Sequence, residues 1–94
     1  MYFIDGVPIS EVFDTGKKYF IRTVTYHLVG ELDCVLDGFL LFKNCSWVAN
    51  SGRFSDAIKK GTLDEVEYIG NWFCAISSIV DGGEWKHDLP TETK

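Results

Sequence analysis

The chain predicts a mainly β domain: five strands forming a small barrel, with one short helix inserted between the third and fourth strands. Three observations point there. Residues 18–48 are rich in β-branched and aromatic side chains and are punctuated by Gly30 and by Asp37-Gly38, the pattern of a strand, a bend and a hairpin. One compact helix signal follows, from Phe54 to Lys60. Residues 65–80 then return to strand pattern before a polar, Pro-containing end. Ninety-four residues make one domain, read here as residues 1–81, with 82–94 as a surface tail.

Each element has a local reason. Residues 1–13 read as a short strand, a turn at Asp5-Gly6 and a second extended piece ending at Phe13. Asp14-Thr15-Gly16-Lys17 is a turn signal. In "KYFIRTVTYHLVGELDCV", residues 18–35, Val24, Tyr26 and Leu28 alternate with Thr23, Thr25 and His27, the period of a strand. Gly30 interrupts it and marks a bulge or sharp bend. Asp37-Gly38 supplies a tight turn, and "FLLFKNCSWV", residues 39–48, returns. Ser51 or Asn50 is placed to cap the helix. Phe54, Ala57 and Ile58 share one helix face. Asp56 sits near the positive end, Lys59 and Lys60 near the negative end, and Gly61 is a natural stop. "EVEYI", residues 65–69, alternates as a strand, Gly70-Asn71 turns, and "WFCAISSIV", residues 72–80, is the last strand.

Composition narrows the function. Apolar residues make up 46% of the chain, with seven Phe, four Tyr and three Trp, and the net charge is −5. Proteins that draw affinity from nucleic-acid phosphates are normally basic, which argues against duplex DNA. An acidic surface suits a basic protein partner instead. Cys34, Cys45 and Cys74 lie in apolar runs, and neither His27 nor His87 stands with them in metal-ligand spacing. They read as reduced, buried thiols. That reading, and an opening "MYFIDGVPIS" without a basic run, predict a cytoplasmic protein. No run approaches the ~20 apolar residues of a membrane-spanning helix. No catalytic constellation, phosphate loop, dinucleotide motif or cofactor motif is present, so no enzyme is expected. Asp64, Glu65 and Glu67 alternate with Leu63 and Val66 as a solvated strand face.

Two resemblances add to this. "TVTYHLVGELDCVLDGFLLFKN" followed by "FCAISSIV" resembles the Sm-like fold, with Gly30, Asp37, Lys43-Asn44 and Ala75-Ile76-Ser77 in matching places; an SH3-like barrel reads almost the same. This covers residues 20–44 and 72–80 and implies a small barrel that assembles by edge-strand pairing, through residues 65–69 or 72–80. The expected N-terminal helix is absent, and no RNA-binding residues are carried over. "SWVANSGRFSDAIKKGTLDEVE" and "WKHDLP" are similar to small bacteriophage and prophage proteins, over residues 46–90. That resemblance implies a non-enzymatic, phage-encoded binding protein in the cytoplasm of a bacterial host, a counter-defence protein sequestering a small nucleotide-type ligand. The alternative is an acidic inhibitor or assembly module that binds a host protein. An Sm-like RNA binder ranks behind both.

The candidate ligand site is Trp47, Asn50, Ser51, Gly52 and Arg53. A helix start presents free N–H groups to an anion, Gly52 permits close approach, Arg53 suits a phosphate fork, and Trp47 suits stacking on a base. The competing reading is a plain hinge: Ser51 caps, Gly52 turns, Arg53 pairs with Asp56 and Trp47 is core. Trp85, Lys86 and His87 are the candidate partner-binding residues, because exposed tail aromatics anchor partners.

Overall fold

The computed structural model describes residues 3–4, 7–8 and 13–91. β1 (Phe3–Ile4) and β2 (Val7–Pro8) pair antiparallel. The expected Asp5-Gly6 turn, the approach to Phe13 and the end of the tail, residues 92–94, lie outside the described residues. The main sheet holds β3 (Lys18–Thr23), β4 (His27–Leu36), β5 (Phe39–Asn50), β6 (Glu65–Ala75) and β7 (Ile79–Glu84). Its order is β6-β5-β4-β3-β7, every neighbouring pair antiparallel. Helix α1 (Phe54–Lys60) lies between the third and fourth strands of this sheet, where the sequence puts it. The sheet is open, with β6 and β7 as its two edges.

Three boundaries differ from the sequence reading. The run 18–35 is two strands, and the break falls at residues 24–26 rather than at Gly30. Thr23 makes that corner: its Oγ1 donates to the Tyr26 carbonyl at 2.7 Å and accepts the Tyr26 N–H at 3.1 Å. Gly30 stays inside β4 at a register shift. A Cβ there would stand 3.2 Å from the Cys45 Cα, so the glycine lets β5 approach. Gly70, at φ 82°, does not turn the chain; β6 runs through it with a bulge against Cys45. The run 72–80 divides into the end of β6, a single 3₁₀ turn at Ile76–Ser78 and the start of β7.

Strand alternation sends side chains to both faces of the sheet, and both faces carry a core. On one face Tyr19, Ile21, Leu28, Leu32, Phe42 and Cys45 pack with Phe13, Cys74 and Ile76. On the other, Phe20, Val29, Val48 and Val66 are covered by Ala57 of α1, by Leu63 and by Trp85. The expected surface tail is therefore part of the fold. β7 extends to Glu84, and Trp85 is only 1% exposed. The physical reason is size: a seven-residue helix contributes one buried residue, Ala57, too little to cover four strand side chains. The fully buried Ser46 hydroxyl completes the attachment by donating to the Pro90 carbonyl at 3.2 Å.

Candidate functional site

The stretch around α1 is a hinge built differently from the expectation. Ser51 does not cap the helix. The Asn50 side-chain oxygen accepts the Gly52 N–H at 2.8 Å, and Arg53 occupies the capping position with extended backbone and no side-chain cap bond. Only the Arg53 carbonyl engages the helix, accepting the Asp56 and Ala57 N–H groups at 3.0 Å each. Asp56 pairs with Lys60 at 3.8 Å, one turn on, not with Arg53. Gly61 ends the helix in the left-handed region, φ 74°, as its position implies. The corner is poorly suited to an anion. The Gly52 N–H is already bonded, and the Asp64 carboxylate crowds the same residue: a Cβ on Gly52 would stand 2.9 Å from its Oδ2.

Trp85, Lys86 and His87 divide. Trp85 is core, stacked on Phe20 and donating Nε1–H to the Asp88 carbonyl at 3.1 Å. The His87 Nε2 is 2.8 Å from the Ile58 carbonyl, which only accepts, so Nε2 carries the proton and donates. Lys18 donates its ammonium to the His87 carbonyl. These contacts strap the segment across the end of α1. Lys86 alone of the three is exposed.

Trp47 is the candidate that the structure places at an open site. It stands on β5 with Leu28 of β4 and Glu67 of β6 as its direct cross-strand neighbours. Tyr26, Trp47 and Trp72 wall a hollow of about 340 Å³, with Leu28 and Ile69 also lining it and Glu67 as the single charged lining residue among those described. Trp47 is 41% exposed and Trp72 49%. The Tyr26 and Trp47 rings meet edge to face, centroids 6.4 Å apart and planes at 79°. The floor is continuous with the first core, of which Leu28 is a buried member and against which Tyr26 and Ile69 pack. Burial pushes the Tyr26 phenol above its ordinary pKa, with smaller contributions from Cys74 and Cys45, so it stays a neutral hydroxyl. Asn50, Ser51, Gly52 and Arg53 do not line this hollow.

No family model matches this chain, and no curated protein or solved structure shows significant similarity to it. The site therefore has to be read from its own chemistry. A hollow of about 420 Å³ runs beside β7, but its Lys17 pairs with Asp14 at 3.2 Å and approaches Glu84 at 3.9 Å, and its two aromatic rings, Phe13 and Tyr19, are buried against each other in the core. Among the described residues no group of three His, Cys, Asp or Glu is placed to hold a metal, and no helix is long and apolar enough to cross a membrane.

Sequence reasoning missed Tyr26, Glu67 and Trp72. One signal was present for Trp72. Adjacent Trp72 and Phe73 on one strand cannot both enter the same core, and the structure leaves both exposed.

Proposed function

We propose that this chain is a non-catalytic binding protein that takes a flat or cationic group of its target into the Tyr26–Trp47–Trp72 hollow. The observation that carries this is the pair of half-exposed indoles over an apolar floor. Concave, mostly apolar sites with a few placed polar groups are the usual form of a small-ligand site. A nucleotide-type ligand fits through its base, which stacks on an indole while the phosphates stay in water, away from Glu67. Sequestration of such a ligand in a phage counter-defence setting is the biological role this reading carries.

The test is titration of the protein with cyclic and linear nucleotides, followed by tryptophan fluorescence. Two of the three tryptophans line the hollow, so a bound base changes the emission. Saturable binding that Trp47→Ala weakens at least about ten-fold, the loss of one stacked ring, supports the site. No response to any nucleotide removes the nucleotide ligand, and binding indifferent to both Trp47→Ala and Trp72→Ala removes the hollow.

The strand order, the 3₁₀ turn between β6 and β7 and the bulged β4 and β5 support reading the fold as a small SH3-like or Sm-like barrel left open between its edge strands. A second function rests on a separate observation. Phe73 is 63% exposed on edge strand β6, edge to face with Phe39 at 5.5 Å between centroids. An exposed aromatic edge strand invites pairing with another chain, and this favours a protein-binding or self-assembling module. Native mass spectrometry of the wild type and of Phe73→Lys decides it: a complex lost in the variant supports the edge, and a monomer in both discards it.

A further inference from the structure

The charge and ring geometry of the hollow say more about its ligand than its volume does. We infer that the hollow selects an alkylated ammonium group, held by cation–π contact with Trp47, Trp72 and Tyr26 and by the Glu67 carboxylate. This rests on the hollow being the binding site. Tyr26 and Trp47 stand at 79° to one another. Perpendicular rings form a corner, not the parallel slot that sandwiches a flat base. A compact, rounded cation touches both walls of such a corner. The attraction comes from the negative ring face and is strongest for Trp, and two of the three walls are Trp. Glu67 stands directly across the β5–β6 ladder from Trp47, and among the described residues no Lys or Arg lines the hollow. The neutral Tyr26 phenol leaves Glu67 as the only charge there. The chain as a whole carries −5, which draws in cations and repels phosphates. The floor of Leu28 and Ile69 suits methyl or methylene groups, which a bare ammonium or a hydrated metal ion lacks.

The experiment titrates the full chain with tetramethylammonium, choline, a peptide containing trimethyllysine, and 3,3-dimethylbutanol, which has the choline shape without its charge. Tryptophan fluorescence reports binding, and melting temperature checks that each variant is folded. The expected result is saturable binding of the ammonium compounds. Affinity for choline exceeds that for the neutral isostere by about ten-fold, between the worth of an exposed and of a desolvated cation–π contact. Trp47→Ala abolishes this preference, Trp47→Phe retains part of it, and Glu67→Gln reduces it several-fold without altering affinity for the isostere. Tighter binding of the peptide than of choline assigns the ammonium to a modified lysine side chain; the reverse assigns it to a free small molecule. Equal binding of choline and its isostere overturns the inference, as does the absence of ammonium binding. If nucleotides still bind in a Trp47-dependent way, the hollow stands and only the ligand class falls. If neither class perturbs the tryptophans, the hollow itself falls.

Discussion

Trp85 stacks on Phe20, with ring centroids 5.8 Å apart and planes within 27° of parallel. The pair joins a segment beyond the last strand to the third strand of the chain, and it fills the core between the sheet and α1. Trp85→Ala empties that core and strands the Asp88 carbonyl that the indole N–H satisfies. The expected loss is about 3–5 kcal/mol, a large share of the stability of a domain this size. Urea denaturation measures it, and Trp85→Phe should recover part of the loss by keeping the stack.

Gly82 and Gly83 are neighbours on β7 with opposite tolerances. A Cβ on Gly82 would stand 2.8 Å from the Ile21 Cδ1 and 2.9 Å from the Phe20 carbonyl oxygen, whereas one on Gly83 meets nothing within 4 Å. Gly82→Ala should cost about 1–3 kcal/mol, the range of core overpacking. Gly83→Ala should stay within about 0.5 kcal/mol of wild type. Thermal melts of the two variants side by side decide this, and equal melting temperatures would contradict the close β3–β7 approach.

Burial pushes the Cys45 thiol up to about 12, with Cys74 adding to the shift. The folded state therefore holds a proton that the unfolded chain releases near the ordinary thiol value. Stability from this group is full below that value and declines as pH rises from about 9 towards 12, by up to about 1.4 kcal/mol per pH unit. Denaturation midpoints between pH 8 and 10.5 should show a falling limb that Cys45→Ala makes shallower. A thiol reagent at pH 8 should label the half-buried Cys34 first and reach Cys45 and Cys74 only on unfolding.

His27 responds at the other end of the scale. Burial lowers its pKa first, and the nearby Arg22 guanidinium lowers it further against a smaller opposing pull from Asp81. A depressed imidazole contributes stability that is present above its unfolded pKa, near 6.5, and is lost as pH falls through the folded value. Asp81, held low by its Arg22 hydrogen bonds, acts with the same sign at lower pH. The protein should melt at a lower temperature at pH 5 than at pH 7.5, and His27→Gln should flatten that difference.

Much of the fold was legible because it rests on local chemistry. Asp37-Gly38 is the β4–β5 turn, with Gly38 at φ 87°, and the apolar spacing of residues 54–61 is the helix. What escaped was set by distant contacts. Gly70 signals a turn in sequence, yet the sheet carries it as a bulge because Cys45 lies opposite; at Gly30, read as a bulge or a bend, the bulge forms against the same residue. Trp85 sits among Gly, Lys, His and Asp, a composition that reads as solvated. Nothing local shows that the core beneath α1 lacks one large side chain. The site shows the same division. Trp47 stands out in the sequence as a ring suited to stacking, but beside the helix start, whereas Tyr26, Glu67 and Trp72 join it only through the β4–β5–β6 register.

The pairing of Tyr19 with Glu84 and the burial of Trp85 against Phe20 also govern how this chain is made. A ribosome adds residues in order, and β7 and Trp85, the partners of β3 on its outer edge, emerge after every other strand of the sheet. Until about residue 90 is clear of the exit tunnel, Phe20 lacks its Trp85 stack and the outer edge of β3 lacks β7. Closing so wide a span slows folding, and the nascent sheet meanwhile shows an apolar face to whatever chaperone stands at the tunnel mouth.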